Sequence, residues 1–114
     1  MPFINTKINV PLSREREETV KARLGEAIAL IPGKSEQWLM LNFTDNCRLW
    51  FRGDASAPTA MVEVELFGSA DDADCSRLTA RICEIFSAEL GISPDRVYVN
   101  YTFGTSWGWN GGNF

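Results

Sequence analysis

Few side chains in this sequence can move a proton at neutral pH, and histidine is not among them. The 114 residues contain none. That excludes Ser-His-Asp and Cys-His catalysis, His-ligated zinc and an imidazole proton shuttle. Carboxylates, lysine, tyrosine, cysteine and the amine at the chain start remain. The order Met1-Pro2 makes that amine unusual. Methionine is readily removed ahead of a small residue such as proline. Pro2 then becomes the first residue and carries a secondary amine on a rigid ring. An α-amine titrates at about 7.7–8.0, against about 10.4 for lysine. Burial or a nearby cation lowers the value further and makes the amine a base at neutral pH.

The cation nearest to hand is Lys34. The run Phe3 to Val10 reads as a strand ending at Pro11. Ser13 then offers an N-cap, and Glu15, Glu17 and Glu18 suit the first turns of a helix. Val20, Leu24, Ala27, Ile28 and Ile31 recur at helical spacing until Pro32-Gly33 stops them. Trp38 to Phe43 reads as the next strand. A strand, a returning helix and a second, parallel strand bring the chain back to its starting end. The connection Pro32 to Gln37 therefore places Lys34 near Pro2. A cation there depresses the amine's pKa and holds an anionic substrate; the alternative is a solvated loop lysine.

The same unit occurs twice. Offset by 58 residues, the chain matches itself at 7 of the 23 positions from 22 to 44, without a gap. The identities are Ala22, Arg23, Glu26, Gly33, Ser35, Asn42 and Thr44, against Ala80, Arg81, Glu84, Gly91, Ser93, Asn100 and Thr102. The second copy reads as a strand from Met61 to Phe67, a helix opened by Asp71, Asp72 and Asp74, and a strand from Val97 to Phe103. Gly91 suits the position just past that helix. The expected fold is α/β: two β-α-β repeats (about 2–58 and 60–114) in one domain spanning 1–114, forming a four-stranded mixed sheet with both helices on one face. The second and last long strands are apolar or aromatic at nearly every position, and such strands want both faces covered. Two helices cover one face, so a homo-oligomer is expected. Arg48 to Arg52 is either an extra edge strand able to pair across subunits or a partly buried loop.

The bulk numbers agree with an ordinary globular domain: 45% hydrophobic, 23% charged and a net charge of -4. The acidic balance argues against a nucleic-acid or anionic-membrane binder. Cys47, Cys75 and Cys83 form no CxxC pair, which disfavours a zinc ribbon or redox dithiol. No basic leader and no apolar run of about 18 residues is present, so a cytoplasmic location without a membrane span is expected. The tail from Gly104 to Phe114 is Gly-rich and aromatic, but lacks the Lys-Ser/Thr of a phosphate loop. Trp107, Trp109 and Phe114 either pack on a neighbour or line a pocket.

Pro2, Gly33-Lys34, the run Leu90-Gly91-Ile92-Ser93-Pro94-Asp95-Arg96-Val97-Tyr98-Val99-Asn100-Tyr101, and Gly108-Trp109-Asn110 with Phe114 together resemble the macrophage migration inhibitory factor family, over nearly the whole chain. The resemblance implies the tautomerase-superfamily fold, a homotrimer, and keto–enol tautomerase activity on α-keto acids such as phenylpyruvate, or on dopachrome-like compounds, with no cofactor and no metal. It implies Pro2 as catalytic base and Lys34 as the group holding the substrate carboxylate. Tyr98 and Asn100 would come from a neighbouring subunit, with Phe67, Trp38, Trp107, Trp109 and Phe114 lining the pocket. The family's best-known member has a tyrosine at the place of Trp38, an isoleucine at Phe67 and a smaller aliphatic residue at Trp107, so this pocket should be more aromatic. Thr59-Ala60-Met61-Val62 replaces the family's CxxC, which removes the basis for thiol-oxidoreductase activity. The resemblance also implies an alternative role as a leaderless secreted cytokine that binds a host receptor.

Overall fold

A computed structural model describes all 114 residues. The main elements are β1 (Pro2–Ile8), α1 (Arg14–Ala27), β2 (Met40–Thr44), β3 (Ala60–Phe67), α2 (Asp72–Leu90) and β4 (Val97–Gly104). A short hairpin follows, β5 (Gly108–Trp109) with β6 (Gly112–Asn113). The sheet order is β2-β1-β3-β4. β1 pairs parallel with β2, β3 pairs parallel with β4, and the two halves meet antiparallel along β1 and β3. Asn5 and Glu63, which are 58 residues apart, face each other in that central pairing. The approximate twofold axis of the repeat therefore passes between them.

The core lies on one side of the sheet. Ile4, Ile8, Val62, Val64 and Leu66 alternate along β1 and β3 and point at the helices, as a period of two requires. Val20, Leu24 and Ala27 from α1, and Leu78, Ile82, Ile85 and Phe86 from α2, cover them. Each helix end follows from local chemistry. Ser13 Oγ accepts from the Arg16 N–H at 3.2 Å. Gly91, at φ 65°, adopts the left-handed turn that closes α2, and the N–H of buried Ile92 reaches back to the Phe86 carbonyl. Arg96 fixes the long loop before β3: its guanidinium donates to the Pro58 carbonyl, Thr59 Oγ1 and the Asp54 carbonyl.

Several expectations need correction. β1 stops at Ile8, because Asn9 turns its side chain to the Ala57 carbonyl and the Thr59 N–H and ends the ladder. α1 ends at Ala27 and tightens into a 3-10 turn over Ile28–Leu30; apolar spacing does not distinguish the two helix types here. Trp38 does not start a strand. It closes a 3-10 turn, Glu36–Trp38, and β2 begins only at Met40. Of the two alternatives for Arg48 to Arg52, the single chain shows the loop, with Phe51 and Asp54 closing a tight local turn.

The face away from the helices is also less apolar than expected. A polar row crosses its middle, Asn42, Asn5, Glu63 and Asn100, in consecutive register. Asn42 donates to Asn5 at 2.9 Å, and Asn5 donates to Glu63 at 3.3 Å. Apolar residues flank this row: Phe3 and Met40 toward one end, Met61 and Tyr98 toward the other.

Candidate active site

The parallel crossover brings three segments to the same end of the sheet: the chain start, the loop before β2, and the neighbourhood of the C-terminal hairpin. Gly33, at φ 82°, makes the turn that presents Lys34, whose N–H returns to the Ile31 carbonyl. The Lys34 ammonium donates to the Phe67 carbonyl at 2.8 Å and lies 5.8 Å from the centre of the Phe67 ring. The Phe67 N–H in turn donates to the Met1 carbonyl at 3.0 Å. The end of β3 thus ties the cation to the chain start.

The amine at that start titrates below the ordinary α-amine range. Burial is the largest cause, followed by the Lys34 charge and a hydrogen bond with the Lys34 ammonium. Each disfavours the protonated amine. Pro2, the next residue, is buried at the first position of β1, where its missing N–H costs nothing to the ladder.

A cleft of about 650 Å³ opens beside Pro2. Phe3, Gln37, Trp38, Met40, Glu65, Trp107 and Trp109 line it. The Trp38 and Trp109 rings meet edge to face, with centroids 5.1 Å apart. Phe67 and Phe114 meet at 4.9 Å, and Phe114 shares a second hollow with Met1 and Trp109. The hairpin that delivers these aromatics turns at Asn110-Gly111, both at positive φ (51° and 86°). That dipeptide is a strong sequence signal for a two-residue hairpin.

Of the nine residues singled out from the sequence, Pro2, Lys34, Phe67, Trp38, Trp107, Trp109 and Phe114 gather at this end. Tyr98 and Asn100 do not. Tyr98 pairs with Met61, and Met61 with Lys7, five residues down β1 from Pro2 and about 17 Å away at strand rise. Its ring packs edge to face on Phe51 at 5.2 Å instead. Asn100 lies exposed in the polar row at mid-sheet. Phe3, Gln37, Leu39, Met40 and Glu65 also line the cleft and were not anticipated as site residues. Glu65 was accessible from the period of two: it lies two residues before Phe67 and hence on the same face of β3.

Comparison with known proteins decides the family. The family model for macrophage migration inhibitory factor (MIF) matches residues 1–114. The chain belongs to the MIF family. The macrophage migration inhibitory factor of Rattus norvegicus is 30% identical over 116 residues, spanning 100% of this chain and 99% of the rat protein. The crystal structure of Leishmania major MIF2 shares 34% identity with a TM-score of 0.92, covering 100% of this chain and 97% of that one. A MIF homologue from Prochlorococcus marinus shares 27% identity with a TM-score of 0.80, over 98% of both chains. The four-stranded mixed sheet with two helices is thus the tautomerase-superfamily fold. At these identities the MIF fold is held while the pocket walls are free to differ.

Proposed function

We propose that this protein is a cofactor-independent keto–enol tautomerase acting on α-keto acids of the phenylpyruvate type, with the Pro2 amine as its base. The observation that carries this reading is the chain start at the edge of an aromatic cleft, where burial and Lys34 hold the Met1 amine, one residue before Pro2, below its ordinary pKa. Removal of Met1 moves the free amine one residue along, to Pro2 at the first position of β1 and in the wall of the same cleft. The Pro2 nitrogen takes a proton from the substrate carbon next to the carbonyl. The C–H electrons form the C=C bond, the carbonyl oxygen takes up the proton that the Pro2 nitrogen carries, and the enol and the free amine result; the reverse path regenerates the keto form. Lys34 holds the substrate carboxylate, and the apolar walls strengthen that contact by excluding water.

Tyr98 and Asn100 fit this reading only if a neighbouring copy supplies them, because their own chain holds them away from its Pro2. We therefore read the protein as a homotrimer with sites at the subunit boundaries. Light scattering should give three chain masses; a monomer with full activity would contradict it. The activity is tested by following the ultraviolet absorbance of enol-phenylpyruvate as it converts to the keto form. Conversion well above the buffer rate is expected, and a rate equal to buffer overturns the assignment. Binding to a host receptor remains the second reading from the family resemblance, and the lowered amine pKa beside the aromatic cleft favours the enzymatic one.

A further inference from the structure

Glu65 lies in the wall of the cleft while Lys34 lies beyond it at Phe67, and this charge order bears on which keto acid the site takes. Lys34 stands at Phe67, the last residue of β3. Glu65 lies two residues back on the same face, about 7 Å along the strand. In the antiparallel register Phe67 follows the pair Leu66–Pro2, and Glu65 faces Phe3. A substrate with its carboxylate on Lys34 and its reacting carbon at the Pro2 nitrogen therefore extends toward Glu65. Glu65 also opens onto the adjoining hollow of about 400 Å³, where Thr102 and Ser106 join Trp107. Glu65 has no ion-pair or hydrogen-bond partner of its own, unlike Glu63, which is engaged by Asn5 and Lys7. Trp38, Trp107 and Trp109 supply aromatic surface around the same space. A carboxylate beside aromatic rings suits a cation and disfavours a second anion.

We propose that Glu65 is a specificity-determining residue, and that the cleft takes an α-keto acid whose far end carries a cation, a guanidinium or an amine, in preference to a dicarboxylic keto acid. This rests on the reading of the cleft as a keto-acid site. A keto acid with a terminal guanidinium, its carboxylate on Lys34, would carry its cation past the Pro2 nitrogen toward Glu65. An acidic tail of the same length brings its carboxylate against Glu65.

The test is a binding titration read by tryptophan fluorescence, since three tryptophans line the cleft. The ligands are 5-guanidino-2-oxopentanoate and 2-oxoheptanedioate, whose distal charged groups sit at the same chain position, with wild type and Glu65→Gln compared. Wild type should bind the guanidino compound about tenfold more tightly, the combined effect expected of one exposed charge pair and a cation–π contact. Glu65→Gln should bring the two affinities within about threefold, and Glu65→Lys should reverse the order. An unchanged ratio in Glu65→Gln, or no binding of either compound to wild type, overturns the proposal. The readout is independent of turnover. Preference that follows residue 65 in a protein unable to convert phenylpyruvate would retain this inference and defeat the tautomerase reading. Phenylpyruvate turnover with a ratio indifferent to Glu65 would do the opposite.

Discussion

Replacing Pro2 by glycine should lower kcat/KM for phenylpyruvate by about a hundredfold or more, the usual weight of a positioned general base. Glycine is chosen because the initiator methionine is removed ahead of it as readily as ahead of proline, so a free amine stays at the same place. What changes is the amine itself: a primary amine on a flexible residue replaces a secondary amine fixed by a ring. Fixed geometry is part of the catalytic effect, because the nitrogen must meet the substrate carbon at a set distance. Pro2 pairs with Leu66 only at the end of β1, so the variant should fold, and an unchanged circular dichroism spectrum and melting temperature would show it. Equal activity of the two proteins would mean that Pro2 is not the base.

Lys34→Ala should act in two separable ways. Loss of the carboxylate anchor should lower kcat/KM by roughly thirtyfold, as expected for a lost hydrogen bond to a charged group. The second effect is on pH dependence. The base works only unprotonated, so activity falls as pH drops through the amine's pKa. Lys34 lowers the pKa of the adjacent Met1 amine; acting likewise on the freed Pro2 amine, its removal raises that pKa and moves the acid limb of the profile to higher pH. Burial is the larger cause and persists in the variant, so the shift should be partial. Lys34→Arg keeps the charge and should restore the position of the limb, though not the full rate, because the guanidinium has a different reach. A Lys34 that served only to tie down the Phe67 carbonyl would leave the limb in place. The measurement is the kcat/KM profile from about pH 5 to 9, the range around an ordinary α-amine.

Much of this arrangement is legible in the residues, for reasons specific to them. The ungapped 58-residue offset exposes the repeat because β1 and β3, α1 and α2, and β2 and β4 overlap at that spacing. Parallel crossover geometry then forces Lys34 to the end where Pro2 lies, and the structure shows it there. The open sheet face was misread because Trp38, Leu39, Leu41 and Phe43 look uniformly apolar along the sequence. The sheet sorts them: Leu41 and Phe43 turn to the helices, while Asn42 joins Asn5, Glu63 and Asn100 on the open side. Trp38 lies on a turn because residues 35 to 39 close on themselves through the Ser35 and Glu36 carbonyls, which an apolar run does not reveal. Glu65 looks like one more solvated acid until the hairpin, turned at Asn110-Gly111, brings Trp107 beside it.

The central claim is that the working base is the amine of Pro2, and intact-mass spectrometry of the active protein tests it most directly. The account predicts a chain lighter by one methionine residue, beginning at Pro2. A fully active preparation that retains Met1, with the Pro2 nitrogen locked in an amide bond, would contradict it.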